Sequence, residues 1–448
     1  MNTETIAAIA TASGVGSIAI VRLSGLRAYE IALKMTQRPA LQPRHTTLSS
    51  LYNIHGEMID QALVIFFQGP KSFTGEDCVE FQCHGGFAVA SLVLDALLAC
   101  DVRLAQPGEF TKRAFLNGRI DMSQAEAAQA LIMAKSSEAV TLLARQLKGE
   151  LGRFVDDIRR QLLEVLAYSE VLIDYADEDL PENIMQSIAQ KLTVLSELLG
   201  ETVSSSLRRQ GAIAGYHVAI IGKPNVGKSS LLNALLSWDR AIVSSVAGTT
   251  RDTVEESLQV GSHVIRIIDT AGIRQATDEI EQIGIQRSIQ AIDEAQIVIA
   301  LFDGSRSWDE EDEEILNLIK TYEKDKEILV IINKSDLPHY HPMDSLVGYY
   351  PLFLSCKSSV SPLLQALQER LDRYNGEETM LLVSKRQIEA TKMCQQAIYD
   401  AMFPLENGEL EIFSFHIREA IDAIGSISHP YNVEEMLGVM FGNFCLGK

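Results

Sequence analysis

"GKPNVGKSSLLNALL", residues 222 to 236, decides the fold around it, because the apolar run "HVAII" (217 to 221) stands directly before it. A buried strand, a glycine loop and a helix start in that order form a phosphate cradle, and Gly222 to Ser229 match G-x-x-x-x-G-K-S/T. The glycines free the backbone amides of Asn225, Val226, Gly227, Lys228, Ser229 and Ser230 to converge on phosphate oxygens. Lys228 is placed to neutralise the β and γ phosphates, and the Ser229 hydroxyl to ligate Mg2+.

Outward from the cradle, apolar runs alternate with helical stretches. "HVIRIIDT", "AQIVIALFD", "EILVIINK" and "YYPLFLS" are apolar on both faces, as parallel strands between helix layers must be. Residues 216 to 375 are therefore expected to form a doubly wound, mostly parallel α/β domain. Chemistry-bearing residues fall at the strand ends. "DTAG" (Asp269, Thr270, Ala271, Gly272) puts a carboxylate near Mg2+ and an amide near the γ phosphate. "NKSD" ends another strand with Asn333, Lys334 and Asp336, whose carboxylate can accept from both N–H edges of guanine. "SCK" (Ser355, Cys356, Lys357) fits a loop against the guanine carbonyl. "AGTTRD" (247 to 252) reads as a switch, with Thr250 a Mg2+ ligand when the γ phosphate is present, and Ser244, Ser245, Val246, Ala247, Gly248, Thr249 and Thr250 are candidate GTP-binding residues. The order of these elements defines a GTPase. Ile273 follows "DTAG" where Ras-type GTPases place a water-orienting Gln, so water must be positioned otherwise. Asn225 is a neutral oxygen donor that could help hold a monovalent cation, or a local turn residue.

The rest of the chain divides by texture. Residues 1 to 117 alternate strand-like runs ("SIAIVRLSG", "ALVIFFQGP", "CVEFQC") with short helices, an α+β pattern. From Ser123, "SQAE" is expected to be a capping box with Glu126, opening a helical region. Phe154, Ile158, Leu162, Val165, Leu166, Leu172 and Ile173 keep a helical stripe; "DEDLPEN" breaks it; Ile184, Ile188, Leu192, Leu195, Leu199, Val203 and Leu207 carry the next. Helical patterns return after residue 376, so 118 to 215 and 376 to 448 are expected to pack as one helical domain with the nucleotide domain inserted between them.

Composition excludes several classes. Six cysteines lack paired spacing, which argues against a disulfide framework or a four-thiolate zinc site. No apolar run spans a bilayer and no secretory signal pattern opens the chain, so a cytoplasmic protein is expected. The net charge of −21 opposes a nucleic-acid backbone, so work on RNA would need a local basic patch or a basic partner. "SGVGSIA" (13 to 19) leads into a strand where a dinucleotide fingerprint needs a helix, so any flavin belongs to a partner. Adjacent Cys83 and His84 do not readily face one ion.

The strings "FTGEDCVEFQCHGG" (73 to 86), "PGEFTKRAFLNGRIDMSQAEA" (107 to 127), the cradle with "AGTTRD", and the "FCLGK" end together resemble the tRNA modification GTPase family MnmE, also called TrmE, over the whole chain. The resemblance implies a folate-binding-like N-terminal domain, a homodimer, and work with the FAD-dependent partner MnmG in a heterotetramer. It implies installation of an aminomethyl or carboxymethylaminomethyl group at C5 of a tRNA wobble uridine with a methylene-tetrahydrofolate carbon. By motif matching it assigns K+ to Asn225, Ser244, the Val246 carbonyl and Thr249, Mg2+ to Ser229 and Thr250, and the water-orienting carboxylate to Glu281. It assigns a tetrahydrofolate derivative, in the 5,10-methylene or 5-formyl form, to Arg22, Glu80, Arg119 and Lys448, and makes Cys445 a candidate catalytic thiol near that site. Two other readings stay open: a ribosome-assembly GTPase, for which no second G domain or GXXG-bearing RNA domain is evident, and a one-carbon transferase regulated by GTP.

Overall fold

A computed structural model describes residues 4–12, 14–174, 184–240, 256–268, 289–338, 344–373 and 380–429. The chain forms two compact units, one from residues 1–129, 146–180 and 400–448, the other from 130–145 and 181–399.

The first unit holds a six-stranded sheet in the order β3-β4-β5-β2-β1-β6, with β1 Ile6–Ile9, β2 Ile18–Ser24, β3 Thr46–Tyr52, β4 Met58–Phe67, β5 Cys78–His84 and β6 Arg103–Leu104. All neighbours are antiparallel except β1 and β6. Helices α1 (Ala28–Thr36) and α2 (Phe87–Leu98) cover one face. Strand alternation sends Val21, Leu23, Val64, Val79 and Phe81 into a core with Ile31, Met35, Val93 and Leu97. The opposite face carries a smaller cluster, Ile6, Ala8, Ala105 and Phe110, the last from α3 (Glu109–Leu116).

Helix α4 (Met122–Met133) is capped two residues earlier than expected. Asp121 Oδ1 accepts from the Gln124 amide at 2.8 Å, and Gln124 Oε1 accepts from the Asp121 amide at 2.9 Å. The capping box is thus Asp121–Gln124, and Ser123 sits inside the first turn, its hydroxyl donating to Asp121 Oδ1 at 2.6 Å. The correction has a physical reason: the Asp carboxylate takes both the amide and the hydroxyl, leaving the serine nothing to cap. Downstream, α5 (Ser137–Leu147) precedes α6 (Glu150–Asp174), which buries Leu151, Val155, Ile158, Leu162 and Val165. Among the stripe residues, Phe154, Leu166, Leu172 and Ile173 are only half-buried. From the far end of the chain α13 (Leu410–Gly425) packs on α6, with the Ser169 and Ser414 hydroxyls 2.9 Å apart.

The second unit contains α7 (Ile184–Arg208), α8 (Gln210–Ala214) and a sheet in the order β12-β11-β10-β7-β9-β8. Its strands are β7 Tyr216–Ile221, β8 Glu256–Val260, β9 His263–Ile267, β10 Ile297–Asp303, β11 Glu327–Asn333 and β12 Leu352–Phe353. All pair in parallel except β8 with β9. Each central strand is buried on both faces. Val218 and Ile220 join Ile299, Leu301 and Ile331 under α9 (Lys228–Arg240) and α11 (Ser361–Arg373). Ala219 and Ile221 join Val298, Ala300, Phe302 and Ile332 under α10 (Glu310–Tyr322). The chain leaves β7 toward β9 on one side and continues with β10 on the other, so the topological switch lies at the carboxyl end of β7, where α/β sheets bind ligands.

Helix α12 (Lys385–Asn407) follows, and its first half lies along α7: Gln395 Nε2 donates to Ser196 O at 3.0 Å, and the Leu382 amide donates to Ser206 Oγ at 2.9 Å. His263 is fully buried at the turn end of β9, with Asp372 Oδ1 2.8 Å from Nε2 and Glu138 Oε2 2.9 Å from Nδ1. The Tyr216 ring meets it edge-on at 6.0 Å.

Candidate functional site

Residues 222 to 227 turn from the end of β7 into the first residue of α9, so the loop sits at the positive end of a helix. Two glycines are required by contact as well as conformation. At Gly222 (φ 148°) a Cβ would lie 2.5 Å from Leu301 O, and at Gly227 (φ 108°) 2.2 Å from Asn333 Nδ2. Asn225 takes a left-handed backbone (φ 63°) with its side chain exposed, while Val226 is fully buried beneath. Lys228 Nζ donates to Gly222 O at 2.6 Å and Lys223 O at 2.9 Å. Burial lowers its pKa, as expected of an ammonium that, among the described residues, meets carbonyls and not a carboxylate. Ser229 and Ser230 are exposed on the first turn of α9.

The end of β11 ties three loops together. Asn333, buried, donates from Nδ2 to Val226 O at 2.8 Å and accepts at Oδ1 from the Cys356 amide at 3.1 Å. One side chain thereby spaces the glycine loop from the 355–357 loop. Lys334 (φ 64°) reaches Asp303 Oδ2 at 2.6 Å. Burial works against the Asp303 charge, but Lys334 and Ser305 outweigh it and hold the carboxyl below its usual range. Asp336 stands exposed just past the strand, its carboxyl held low by the Ser355 hydroxyl first and by Lys357 and Lys334 at longer range. Burial pushes the Cys356 thiol up to about 11, so it is no thiolate at neutral pH.

The structure therefore brings together Asn225 to Ser230, Asn333, Lys334, Asp336 and Ser355 to Lys357 at one edge of the sheet. Ser244 to Thr250, Asp269 to Gly272, Glu281, Cys445 and Lys448 lie outside the described residues. Glu256, which opens β8, pairs with Ile267, which ends β9, and β9 runs parallel to β7. Glu256 and Ile268, which stand just after and just before two undescribed segments, thus lie at the carboxyl edge of the sheet, the edge of the glycine loop. Two contributors escaped sequence reading, Asp303 and Lys223; the latter is buried and bonded to Asp309 and Asp312. Their partners are 31 and 86 or more residues away in sequence, and only the acidic cluster "WDEED" ahead of α10 hinted at the second.

In the first unit, the β2–β5 register sets Arg22 opposite Glu80. Their side chains meet at 2.8 Å from Nη2 to Oε1, each about one-sixth exposed at 17% and 16%. The Arg22 guanidinium lies 5.4 Å from the Phe73 ring and 5.6 Å from that of Phe110. Arg119 donates from Nε to Ser72 O at 3.1 Å, so Arg22 and Arg119 border the same 72–75 loop. Beneath it, Arg113 is buried between Glu76 and Glu109, a structural network that holds the loop's far end. Cys83 is buried, its thiol 3.4 Å from Ala19 O, whereas His84 is exposed and pairs with Asp60 at 2.8 Å.

A strand-loop-helix cradle at a switch point, a buried Asn bracing it, and an exposed Asp past the same strand define a P-loop nucleotide-hydrolase domain of the guanine-reading kind. Family comparison agrees and goes further. A model described as "GTP-binding protein TrmE N-terminus" matches residues 5–119, and one described as "MnmE helical domain" matches 122–445. The tRNA modification GTPase MnmE of Sulfurovum sp. is 56% identical over 445 residues, 99% of both chains, and that of Aliarcobacter butzleri 54% identical over the same shares. Among solved structures, Era in complex with MgGDPNP and a segment of 16S ribosomal RNA is 27% identical, covering 41% of this chain and 66% of that chain with a TM-score of 0.26. The chain belongs to the MnmE family of tRNA modification GTPases and hydrolyses GTP. Among the described residues no helix is long and apolar enough to cross a membrane.

Proposed function

We propose that this GTPase drives modification of C5 of the wobble uridine in tRNA, adding an aminomethyl or carboxymethylaminomethyl group together with the FAD-dependent partner MnmG. The observation carrying this reading is the full-length likeness to tRNA modification GTPases, combined with a cradle whose Lys228 already faces the loop interior. The domains run 1–117, 118–215 with 376–448, and 216–375.

In hydrolysis, water adds to the γ phosphorus, the bond to the β–γ bridging oxygen breaks, and GDP and phosphate leave. Lys228 transfers its ammonium from the two carbonyls to the β and γ phosphates, and the loop amides from Asn225 to Ser230 take the remaining oxygens. Asp336 selects guanine, with Asn333 spacing it from the loop and Ser355 to Lys357 closing over the base. Ser244 to Thr250 and Asp269 to Gly272 sense the γ phosphate, and Glu281 orients the water. The hydroxyl of Ser229, exposed beside Lys228, suits a hard cation such as Mg2+, with Thr250 as second ligand. Asn225, exposed at the loop mouth, suits K+ together with Ser244, Val246 and Thr249, in a homodimer that pairs two nucleotide domains. These cations supply positive charge to the phosphates when bound.

Arg22 and Glu80, partly exposed beneath the Phe73 ring, fit a tetrahydrofolate derivative: a carboxylate for the pterin amide edge, a guanidinium for ring carbonyls or the glutamate tail, and an aromatic face. Arg119, Lys448 and the Cys445 thiol complete that proposal. The cytoplasm is the proposed compartment. The test is mass spectrometry of wobble uridine from a deletion strain carrying wild-type or Lys228→Ala protein. Loss of the modification in both the deletion and the variant is expected; full modification with the hydrolysis-dead variant overturns the reading.

A further inference from the structure

Lys223 stands inside the glycine loop, yet its side chain turns away from the cradle and is 3% exposed. Its ammonium donates to Asp309 Oδ1 and, at 2.5 Å, to Asp312 Oδ2. Those two oxygens are already in use. Asp309 Oδ1 accepts from the Asp312 amide and Asp312 Oδ2 from the Asp309 amide, each at 3.2 Å, so the lysine is seated on the capping box of α10.

The same residue's carbonyl points the other way, to Lys228 Nζ at 2.9 Å. Gly222, whose carbonyl is the other acceptor of Lys228, is wedged against Leu301 O on β10. The peptide between residues 222 and 223 is therefore held at both ends, by close packing on one side and by the carboxylates on the other. A buried ammonium between two carboxylates adds little net stability compared with a methionine of similar length. What it does add is direction: a residue anchored at the tip of its side chain cannot rotate its carbonyl freely.

We propose that Lys223 is a positioning residue of the GTPase site: clasped by Asp309 and Asp312, it fixes the two carbonyls that hold Lys228 and so sets how tightly the loop takes a nucleoside diphosphate or triphosphate. The clasp also makes the start of α10 part of the nucleotide site, through Asp309 and Asp312. The proposal rests on the phosphates occupying the 222–229 loop. That premise fails separately, if Lys228→Ala leaves GDP affinity at the wild-type value.

The test uses the purified full chain, with binding of a fluorescent GDP analogue, steady-state GTP hydrolysis and thermal melting. Lys223→Met is expected to raise the GDP Kd and the GTP KM about tenfold while kcat falls by no more than about threefold, a split that lost folding alone does not give. Lys223→Arg, whose fork spans both carboxylates, is expected to restore Kd to within about threefold of wild type. A lowered Tm with unchanged Kd in Lys223→Met makes the clasp a mere strut and overturns the proposal. Should that variant not fold, Asp309→Asn at the half-exposed end removes one partner; a Kd raised severalfold supports the clasp and an unchanged Kd overturns it.

Discussion

At Gly227 two constraints coincide, a left-handed backbone and a neighbour, Asn333 Nδ2, that would sit 2.2 Å from an added methyl. Gly227→Ala must push Asn333 away and break its bond to Val226 O, so nucleotide affinity should fall by about tenfold or more, read as the Kd for GDP. Asp336 is exposed, its carboxylate met by the Ser355 hydroxyl yet open to a ligand. Asp336→Ala should leave Tm within about 1 °C, because an exposed substitution changes stability little, and weaken GTP by about a hundredfold or more. Equal loss of ATP and GTP binding in that variant would remove Asp336 from base selection. Glu281→Ala should slow hydrolysis with GTP affinity nearly unchanged, and a large affinity loss would assign that carboxylate a structural part. Cradle residues were readable in the sequence because glycine, lysine and serine at fixed spacing leave few alternatives. The Lys223 clasp was not, since nothing local distinguishes a solvated lysine from one paired 86 residues away.

Elements were legible in proportion to how one-sided their chemistry is. "IVIALFD" and "EILVIIN" are apolar throughout because both faces of β10 and β11 are covered, and they read as buried strands at once. "TTLSSLY" and "ESLQV" became β3 and β8 without being anticipated; each lies at a sheet edge, where half the side chains meet water and the apolar signal is diluted. The "SQAE" box failed because two adjacent caps competed and the carboxylate won. Burial opposes charging His263, but Glu138 and Asp372 outweigh it and raise its pKa, so folding is favoured by the charged ring. The stabilisation is complete below the unfolded pKa of about 6.5 and fades as pH rises through the higher folded value. Comparing wild type with His263→Gln by thermal melting, the gap should be widest near pH 6 and shrink toward alkaline pH. A gap that grows with pH would mean the ring is neutral in the fold.

For the molecule as a whole, the charge of −21 predicts weak association of the isolated chain with tRNA, falling steeply with added salt, and stronger capture when a basic partner is present. Filter binding across a salt series measures it, and salt-insensitive binding by this chain alone would contradict it. GTP turnover should be markedly faster in K+ than in Na+, and equal rates would remove Asn225 from cation binding. The Leu382 amide donates to Ser206 Oγ at 2.9 Å. Those two residues bracket the entire α/β sheet of the second unit, so some 175 residues of chain depart and come back through a gap one hydrogen bond wide. Such a loop-out is a cassette: a bridge of a few glycines across the gap would reseal the host helices, and the excised piece could be ligated into a circle with little strain.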